Sequence, residues 1–268
     1  MSIHFHKYQA TGNDFILIDN RLTKNKFTKE HIEKICDRRF GVGADGLILI
    51  EEAEDADFEM IYYNSDGSQS LCGNGCRAAV DFASSLNIIS NHTSFRAYDG
   101  IHEALRLDDQ IIKLKMNDVG CIESFGNDYF IDTGSPHYIQ FVNNLRDVNV
   151  VQQGRDIRNR ESFKPGGTNV NFVELLPHNT IAVRTYERGV EDETLSCGTG
   201  VTAAALAVST KGYQSPVNVS VRGGKLSVEF KSIERDAKDA KNNNGSCAFI
   251  DVFLIGPAKM VFEGDLEL

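Results

Sequence analysis

The chain has 268 residues, enough for one large domain or for two domains of ordinary size. Apolar residues make up 41% and charged residues 25%, as is usual for a globular protein. The formal net charge of −10 opposes contact with a phosphate backbone, so the composition argues against nucleic-acid binding. No apolar run approaches the ~20 residues of a membrane-spanning helix, and the first residues lack a signal-peptide pattern. We therefore expect a cytoplasmic protein without membrane contact.

Short β-rich segments recur along the chain and outnumber the helical ones. Runs of β-branched and aromatic residues predict strands at 15–19, 47–50, 58–64, 111–115, 172–176, 181–187, 217–221, 225–230 and 248–254. Helices are predicted at 28–36, 76–86 and 202–211, and the last is apolar nearly all round, so it must be enclosed. The polar segment 232–246 predicts a loop. The predicted fold class is α+β with an excess of strands.

A short motif occurs twice in the chain. Residues 71–79 read LCGNGCRAA and residues 196–204 read SCGTGVTAA, so both contain C-G-x-G-x-x-A-A. Each copy follows a polar loop and opens an alanine-rich helix. Such a repeat predicts two similar domains, each with one cysteine at the start of its central helix. We place the N-terminal domain at 1–118 plus 256–268 and the C-terminal domain at 119–255.

The repeated cysteines, Cys72 and Cys197, are the candidate catalytic residues. A helix N-terminus presents unpaired N–H groups and the positive end of the helix dipole, which favour a thiolate. Two such cysteines facing one cleft could remove a proton from one face of a carbon and return a proton to the other. The pattern therefore predicts an acid–base pair that inverts a stereocentre. The backbone amides expected to bind the substrate carboxylate are those of Gly73, Asn74, Gly198 and Thr199.

The remaining cysteines and the histidines give no sign of a metal site. Cys72 and Cys76 have C-x3-C spacing, but no second pair or H-x3-5-H segment accompanies them. His4 and His6 alternate along a predicted first strand and are interpreted as ordinary strand residues. The cysteines expected to be structural are Cys36, Cys76, Cys121 and Cys247.

Further motifs lie in order along the chain. They are KYQATGNDF at 7–15, RFGVGADG at 39–46, YNSDG at 63–67, GSPH at 134–137, GTNV at 167–170 and YERG at 186–189. With the two cysteine motifs, they make the chain resemble the diaminopimelate epimerase family over nearly its whole length. The resemblance implies epimerisation of LL-2,6-diaminopimelate to the meso form, in lysine and cell-wall biosynthesis, without pyridoxal phosphate or metal. It also implies two pseudo-symmetric domains, each a curved, mostly antiparallel sheet around a central helix.

The resemblance also implies roles for individual residues. Cys72 and Cys197 match the family's acid–base cysteines. Ser135 and His137 are further candidates, and His137 either orients a cysteine or is a structural histidine. The residues that match substrate-binding positions are Asn13, Asn64, Gly73, Asn74, Asn169, Glu187, Arg188, Gly198 and Thr199. The acid and the guanidinium at 187 and 188 suit a zwitterionic substrate, although an adjacent Glu–Arg pair alone is more often a solvated strand end.

The chain departs from the family at three positions. Many members have Gln where this chain has Gly46 and Asn where it has Ser135, and an Arg usually precedes the Thr at 168, where this chain has Gly167. We expect these differences to affect contacts with the far end of the substrate, not the acid–base pair.

Two other functions remain open at this point. A proline-racemase-type enzyme of the same broad fold would tend to carry Pro before the cysteine and His after the glycine, where this chain has Leu71 and Asn74. A thiol redox protein would use Cys72 with Cys76 and would not need Cys197. The expected partner is a small amino-acid substrate, and an exposed strand edge would allow a homodimer.

Overall fold

The computed structural model describes residues 2–108, 110–234 and 247–267. Residues 232–234 of the predicted loop belong instead to the end of a strand. The rest of that loop lies outside the described residues and stays a prediction. In the described part of the chain, no helix has both the length and the apolar character needed to cross a bilayer.

The chain divides into two compact units. The first extends to Leu114 and includes the segment from Gly256 onward, and the second runs from Lys115 to Ile255. The domain boundary predicted from the sequence, after residue 118, lies a few residues beyond the boundary between Leu114 and Lys115.

Strands make up most of both units. The strands are β1 (Ser2–Ala10), β2 (Asn13–Asp19), β3 (Gly46–Glu51), β4 (Phe58–Asn64), β5 (His92–Ala97), β6 (Gly100–Asp108), β7 (Ile111–Lys115), β8 (Glu123–Phe125), β9 (Asp128–Asp132), β10 (Pro136–Phe141), β11 (Asn169–Leu176), β12 (Thr180–Glu187), β13 (Asp192–Thr194), β14 (Val217–Val221), β15 (Gly224–Glu234), β16 (Cys247–Pro257) and β17 (Lys259–Glu267). The α-helices are α1 (Lys29–Cys36), α2 (Gly73–Ser85), α3 (Val150–Arg158) and α4 (Gly198–Ser209). Single 3₁₀ turns lie at Leu145–Asp147 and Glu161–Phe163.

The two units repeat the same order of strand pairing. In the first unit, β1–β2 is antiparallel, β2–β3 parallel, β3–β4 antiparallel, β4–β5 parallel, and β5–β6 and β6–β7 antiparallel. In the second unit, the series β9, β10, β11, β12, β14, β15 and β16 follows the same sequence of directions. This repetition confirms the predicted α+β fold class.

Helices join the parallel strands, because a parallel pair needs a long crossover where an antiparallel pair needs only a turn. In the first unit, α1 connects β2 to β3 and α2 lies between β4 and β5. In the second, α3 lies between β10 and β11, and α4 lies between β12 and β14. The helices that carry the cysteine motifs therefore occupy equivalent places in the two units.

The central helices α2 and α4 are enclosed by strands. Every residue of α4 from Gly200 to Val208 is buried, and the helix packs against β9, β10, β11, β12, β14 and β15. Residues Asn74–Ala83 of α2 are likewise buried. Alanine is the commonest residue in both buried stretches, and its small side chain lets several strands approach the helix together. The expectation that the apolar helix at 202–211 is enclosed is confirmed.

Both central helices begin earlier than predicted, at Gly73 and Gly198 instead of 76 and 202. Glycine is a poor helix former, so the first turn has no propensity signal. The short helix α3 was not predicted at all. Its polar sequence VVQQGRDIR buries only Val150, Gly154 and Ile157, spaced as one narrow stripe.

Gly154 allows α3 to approach the sheet closely. A Cβ atom at this position would lie 2.3 Å from the Cβ of Tyr186, which is fully buried. No side chain larger than hydrogen fits without moving the helix away from β12.

We expect Gly154→Ala to lower the free energy of unfolding by about 1 kcal/mol or more. Overpacking costs about 1–3 kcal/mol, and a contact of 2.3 Å belongs in the upper part of that range. The better helix propensity of alanine, about 1 kcal/mol, offsets part of this cost and leaves about 1–2 kcal/mol. Urea unfolding followed by circular dichroism measures the change. Gly166→Ala is the control, because the nearest atom to its added Cβ would be 3.8 Å away. Equal stability of the two variants would contradict the close approach.

Candidate active site

Cys72 and Cys197 are the N-cap residues of α2 and α4. Their backbones are extended, with φ/ψ of −132°/109° and −115°/110°, and neither side chain makes a capping hydrogen bond. Both sulfur atoms are thus placed at the positive end of a helix dipole, beside backbone N–H groups that have no partner within the helix. This is the placement that the repeated motif predicts.

Around Cys72, three side chains form a chain of hydrogen bonds. The Cys72 Sγ atom donates to Asn13 Oδ1 at 3.4 Å, and Asn74 Nδ2 donates to the same oxygen at 3.2 Å. Asn74 Oδ1 accepts from Arg77 Nη2 at 3.0 Å. The structure therefore brings together the predicted residues Asn13, Cys72 and Asn74, and adds Arg77, which the sequence analysis did not single out.

Arg77 is a fully buried cation one turn into α2. Its Nη2 atom also donates to Thr11 Oγ1 at 3.1 Å, while Nε and Nη1 have no hydrogen-bond partner among the described residues. Burial lowers the pKa of the guanidinium to about 10, so it stays charged at neutral pH. One sequence signal could have revealed it: an arginine inside an otherwise apolar stripe of a buried helix needs a special reason.

Asn13 is anchored from its other side by a cluster of charges. Its Nδ2 atom donates to Asp45 Oδ2 at 2.5 Å, and Asp45 also pairs with Arg38 at 2.8 Å. Arg38 and Lys7 both pair with Asp14, at 2.6 Å and 2.7 Å. Asp45 thus fixes which end of the Asn13 amide faces the cysteine, because a carboxylate accepts and the amide nitrogen donates.

A second chain of hydrogen bonds lies behind Cys197. Its Sγ atom is 3.6 Å from Thr199 Oγ1, which is 2.9 Å from His137 Nε2. The other ring nitrogen of His137 is 3.0 Å from Asn171 Nδ2. His137 is fully buried, and burial together with the charge of Arg188 lowers its pKa to about 3, so the ring is neutral.

The second glycine of the SCGTG motif lets this chain of contacts form. A Cβ atom on Gly200 would lie 2.4 Å from Asn171 Oδ1 and 3.3 Å from a ring carbon of His137. Asn171 was not predicted as a site residue. The sequence signal for it is its position two residues after Asn169 in a buried strand. An inward-facing polar residue there needs a hydrogen-bond partner.

Asn169 links β11 to the loop that follows β12. Its Nδ2 atom donates to Ser135 Oγ at 2.8 Å, and its Oδ1 accepts from the backbone N–H of Arg188 at 2.8 Å. The exposed Arg188 side chain reaches Gly166 O at 3.5 Å. Three of the predicted residues, Ser135, Asn169 and Arg188, therefore lie together, and Glu187 precedes Arg188 at the end of β12.

Asn64 ends β4 and bonds within its own loop. Its Nδ2 atom donates to Ser68 Oγ at 3.0 Å and to Ser70 Oγ at 3.1 Å. These bonds shape the loop that leads to Cys72, and the structure does not join Asn64 to the Asn13–Asn74 pair by a described hydrogen bond.

Gly46 stands where many members of the family that the chain resembles have Gln. Its surroundings explain the glycine, because a Cβ atom there would lie 2.5 Å from the Tyr62 ring.

Two of the other cysteines, Cys36 and Cys76, are poorly suited to thiolate chemistry. Burial raises the pKa of Cys36 to about 11, and burial also raises the pKa of Cys76, which is fully enclosed in α2. Among the described residues, the group of ligand-type side chains close enough to hold a metal ion is His4, His6 and Glu263. It includes neither Cys72 nor Cys197.

Comparison with known proteins gives one consistent family. The family model described as diaminopimelate epimerase matches residues 5–116 and 129–249. A diaminopimelate epimerase of Flavobacterium psychrophilum is 48% identical over 96% of this chain and 98% of its own length. Those of Chlorobaculum tepidum and Aquifex aeolicus are 41% and 40% identical, over 97% and 99% of this chain and 99% and 98% of their own lengths.

Solved structures with low sequence identity share the fold. A PhzF-family phenazine biosynthesis protein of Bacillus anthracis has a TM-score of 0.73 and 14% identity, with full coverage of both chains. A hydroxyproline epimerase of Agrobacterium vitis has a TM-score of 0.66 and 12% identity, covering 100% of this chain and 93% of that one. Identities this low support the fold alone.

We expect the charge cluster beside Asn13 to make stability depend on pH. Although burial opposes ionisation of Asp14, hydrogen bonds from Arg38 and Lys7 lower its pKa to about 2. A lowered carboxyl pKa contributes stability above the unfolded value of about 3.9 and loses it as the pH falls toward 2. Asp14→Asn should therefore be less stable than the parent protein at pH 6, and the gap should narrow between pH 5 and pH 2.5.

Urea unfolding midpoints of the two proteins at several pH values measure this gap. A difference in stability that stays constant over the whole range would contradict the role given to the Asp14 carboxylate.

Proposed function

The chain belongs to the diaminopimelate epimerase family, and from this premise we propose that it is an isomerase that epimerises LL-2,6-diaminopimelate to the meso isomer. This reaction serves lysine and peptidoglycan precursor biosynthesis. The observation that carries the chemistry is the matched placement of Cys72 and Cys197, each at the N-cap of the central helix of its unit. Equivalent groups in equivalent units suit a reaction that must run in both directions.

Inversion at an α-carbon requires one proton to leave and another to arrive on the opposite face. In our proposal, one cysteine thiolate removes the α-proton and becomes a thiol, while the other cysteine thiol gives its proton to the carbanion and becomes a thiolate. Charge and proton number are thus conserved within the pair. Because two nearby thiolates repel each other, we expect the pair to lose its protons in two coupled steps.

The carbanion needs strong stabilisation, since the α-proton of an amino acid is a very weak acid. We propose that the backbone amides of Gly73, Asn74, Gly198 and Thr199 bind the reacting carboxylate, whose charge grows in the transition state. N–H groups at a helix start point outward, and the helix dipole adds a favourable field. The proposal uses no pyridoxal phosphate and no metal ion.

The groups proposed to bind the rest of the substrate lie at strand ends. Arg188 offers a guanidinium for a carboxylate, and Glu187 offers a carboxylate for an ammonium group. Asn64 and Asn169 can each donate and accept hydrogen bonds, as a substrate carrying both kinds of group requires. The cytoplasmic location is also part of the proposal, because catalysis by two thiols needs a reducing compartment.

Two alternatives have less support. Structures named as a hydroxyproline epimerase and a probable proline racemase share the fold at 12–13% identity, which does not support a proline-racemase-type reaction for this chain. A redox protein using Cys72 with Cys76 would need a reactive Cys76, which is fully buried and has a raised pKa.

The proposed reaction has a direct test. The reduced protein is incubated with LL-diaminopimelate in deuterated water without added cofactor, and the α-position is followed by NMR and chiral chromatography. We expect deuterium to enter the α-position as the meso isomer forms. No exchange by a folded, reduced protein would contradict the proposal, and proline and hydroxyproline would then be assayed in the same way.

The cysteine roles are tested by three variants. We expect Cys72→Ala and Cys197→Ala each to lower kcat by about 10²–10⁴-fold or more, the usual contribution of general acid–base catalysis. Cys76→Ala is the matched control, since it removes a buried thiol from the same helix and should keep most of the activity. Full activity in either of the first two variants would contradict the two-base mechanism.

A further inference from the structure

A cluster of metal-ligand side chains lies on two paired strands that come from opposite ends of the chain. From its geometry, we propose that His4, His6 and Glu263 form a binding site for Zn²⁺ or a similar divalent transition-metal ion. The cluster lies on β1 and β17, within the first unit. It includes none of the residues proposed to act in epimerisation.

The pairing of the two strands places these side chains together. His4 and His6 are two residues apart on β1, so their side chains leave the same face of the strand. In the antiparallel ladder with β17, His4 is opposite Asp265. His6 is opposite Glu263 in the same ladder. Because opposite residues have Cβ atoms about 4.5–5.5 Å apart, two imidazoles and two carboxylates share a small area of one sheet face.

The distances among the possible ligand atoms suit a single ion. His4, His6 and Glu263 each offer one nitrogen or oxygen atom, and these atoms lie within 4.8 Å of one another. His6 Nε2 is 3.3 Å from Glu263 Oε2, which is longer than the about 2.7–2.9 Å of a charge-assisted hydrogen bond. Two atoms that each lie ~2.0–2.1 Å from a tetrahedral Zn²⁺ are about 3.3 Å apart. The pair therefore already has the spacing of two ligands of one zinc ion.

His4 can join this pair by turning its ring, because about half of its side chain is exposed. Its Nδ1 atom is 3.1 Å from Asp265 Oδ1. An ionised carboxylate can only accept, so Nδ1 of the neutral ring carries the proton and Nε2 carries the lone pair. Histidines that bind metals usually donate their other ring N–H to a carboxylate in this way. Asp265 thus orients His4 for coordination.

Packing holds the ring of His6. The ring centroids of His6 and Phe82 are 4.7 Å apart, and the His6 Nδ1 atom is buried without a hydrogen-bond partner among the described residues. Nε2, which faces Glu263, is therefore the nitrogen that can reach an ion. Because His6 lacks the outer carboxylate that His4 has, we expect weaker binding than at a structural zinc site.

The ligand set determines the class of ion. Imidazole nitrogen and carboxylate oxygen suit Zn²⁺ and its neighbours, whereas Mg²⁺ and Ca²⁺ prefer oxygen ligands alone. Three protein ligands leave the fourth tetrahedral position for water. The sequence alone does not reveal the cluster, because Glu263 is nearly a whole chain away from the two histidines. Only the folded chain offers all three ligands, so the ion should stabilise the fold.

Titration of the untagged, reduced protein with Co²⁺ tests the site, because Co²⁺ takes the place of Zn²⁺ and absorbs visible light. Nitrogen and oxygen ligands give visible d–d bands, and thiolate ligands add a sulfur-to-metal charge-transfer band in the near ultraviolet. We expect saturable d–d bands without the sulfur band, and their loss on addition of Zn²⁺, which binds such sites more tightly. The absence of a saturable signal, or a signal that always carries the sulfur band, would overturn the proposal.

Substitutions locate the ion. Glu263→Gln removes an exposed ligand with little effect on folding, and His6→Gln removes an imidazole. We expect each to weaken Co²⁺ binding by about 100-fold, and Asp265→Ala, which removes the outer partner of His4, by about 10-fold. His92→Gln is the matched control, because His92 is an exposed strand histidine outside the cluster. Equal Co²⁺ affinity in Glu263→Gln and in the parent protein would overturn the assignment.

Thermal unfolding gives a second measurement of the same site. Zn²⁺ at a hundredfold excess over its dissociation constant should raise the melting temperature of the parent protein by about 5 °C. The shift should be smaller in Glu263→Gln and the same as in the parent in His92→Gln. A shift of equal size in Glu263→Gln and the parent would mean that Zn²⁺ acts through other groups, and would overturn the proposal.

Discussion

The structure depends on one constraint: a polar, reactive residue must begin a helix that is otherwise buried on every side. A buried helix can be all alanine and valine along its length, but its first turn still carries backbone N–H groups without partners in the helix. In both units these groups lie beside a cysteine. The sheet that encloses each helix thereby leaves its N-terminus as the place where an anion can be stabilised.

Enclosing such a site requires polar side chains in the core, and these are the residues that distinguish the two units. Arg77 in the first and His137 with Asn171 in the second are all fully buried. Buried polar groups cost free energy unless they are bonded, so each network holds its members in a single orientation. Each network therefore stabilises its domain and also fixes which hydrogen-bonding group faces the cysteine. Two domains with the same fold thus present different hydrogen-bonding groups to equivalent cysteines.

Much of this architecture could be predicted from the sequence, because the information is local. The repeated C-G-x-G-x-x-A-A motif locates both central helices and both cysteines, and β-rich runs locate many strands. Helix α3 could not be predicted, since its stripe of three buried residues has meaning only beside Tyr186. Asp45, Arg77 and Asn171 were missed because each has a partner distant in the sequence, respectively Asn13, Thr11 and His137. For Arg77 and Asn171, a polar residue among buried apolar ones was the available local signal. Asn64 was predicted as a substrate-binding residue from the family resemblance alone, whereas its described hydrogen bonds lie within its own loop.

The central claim is that Cys72 and Cys197 act on one carbon atom, and mild oxidation of the reduced protein tests it most directly. A disulfide forms only when the Cα atoms come within about 7 Å, a separation that two thiols flanking one carbon can reach. We expect diamide to link Cys72 to Cys197 and to abolish epimerisation. Dithiothreitol should reverse the oxidation, and substrate should slow it. Peptide mapping that finds only other cysteine pairs, or oxidised protein that keeps full activity with the two linked, would contradict it.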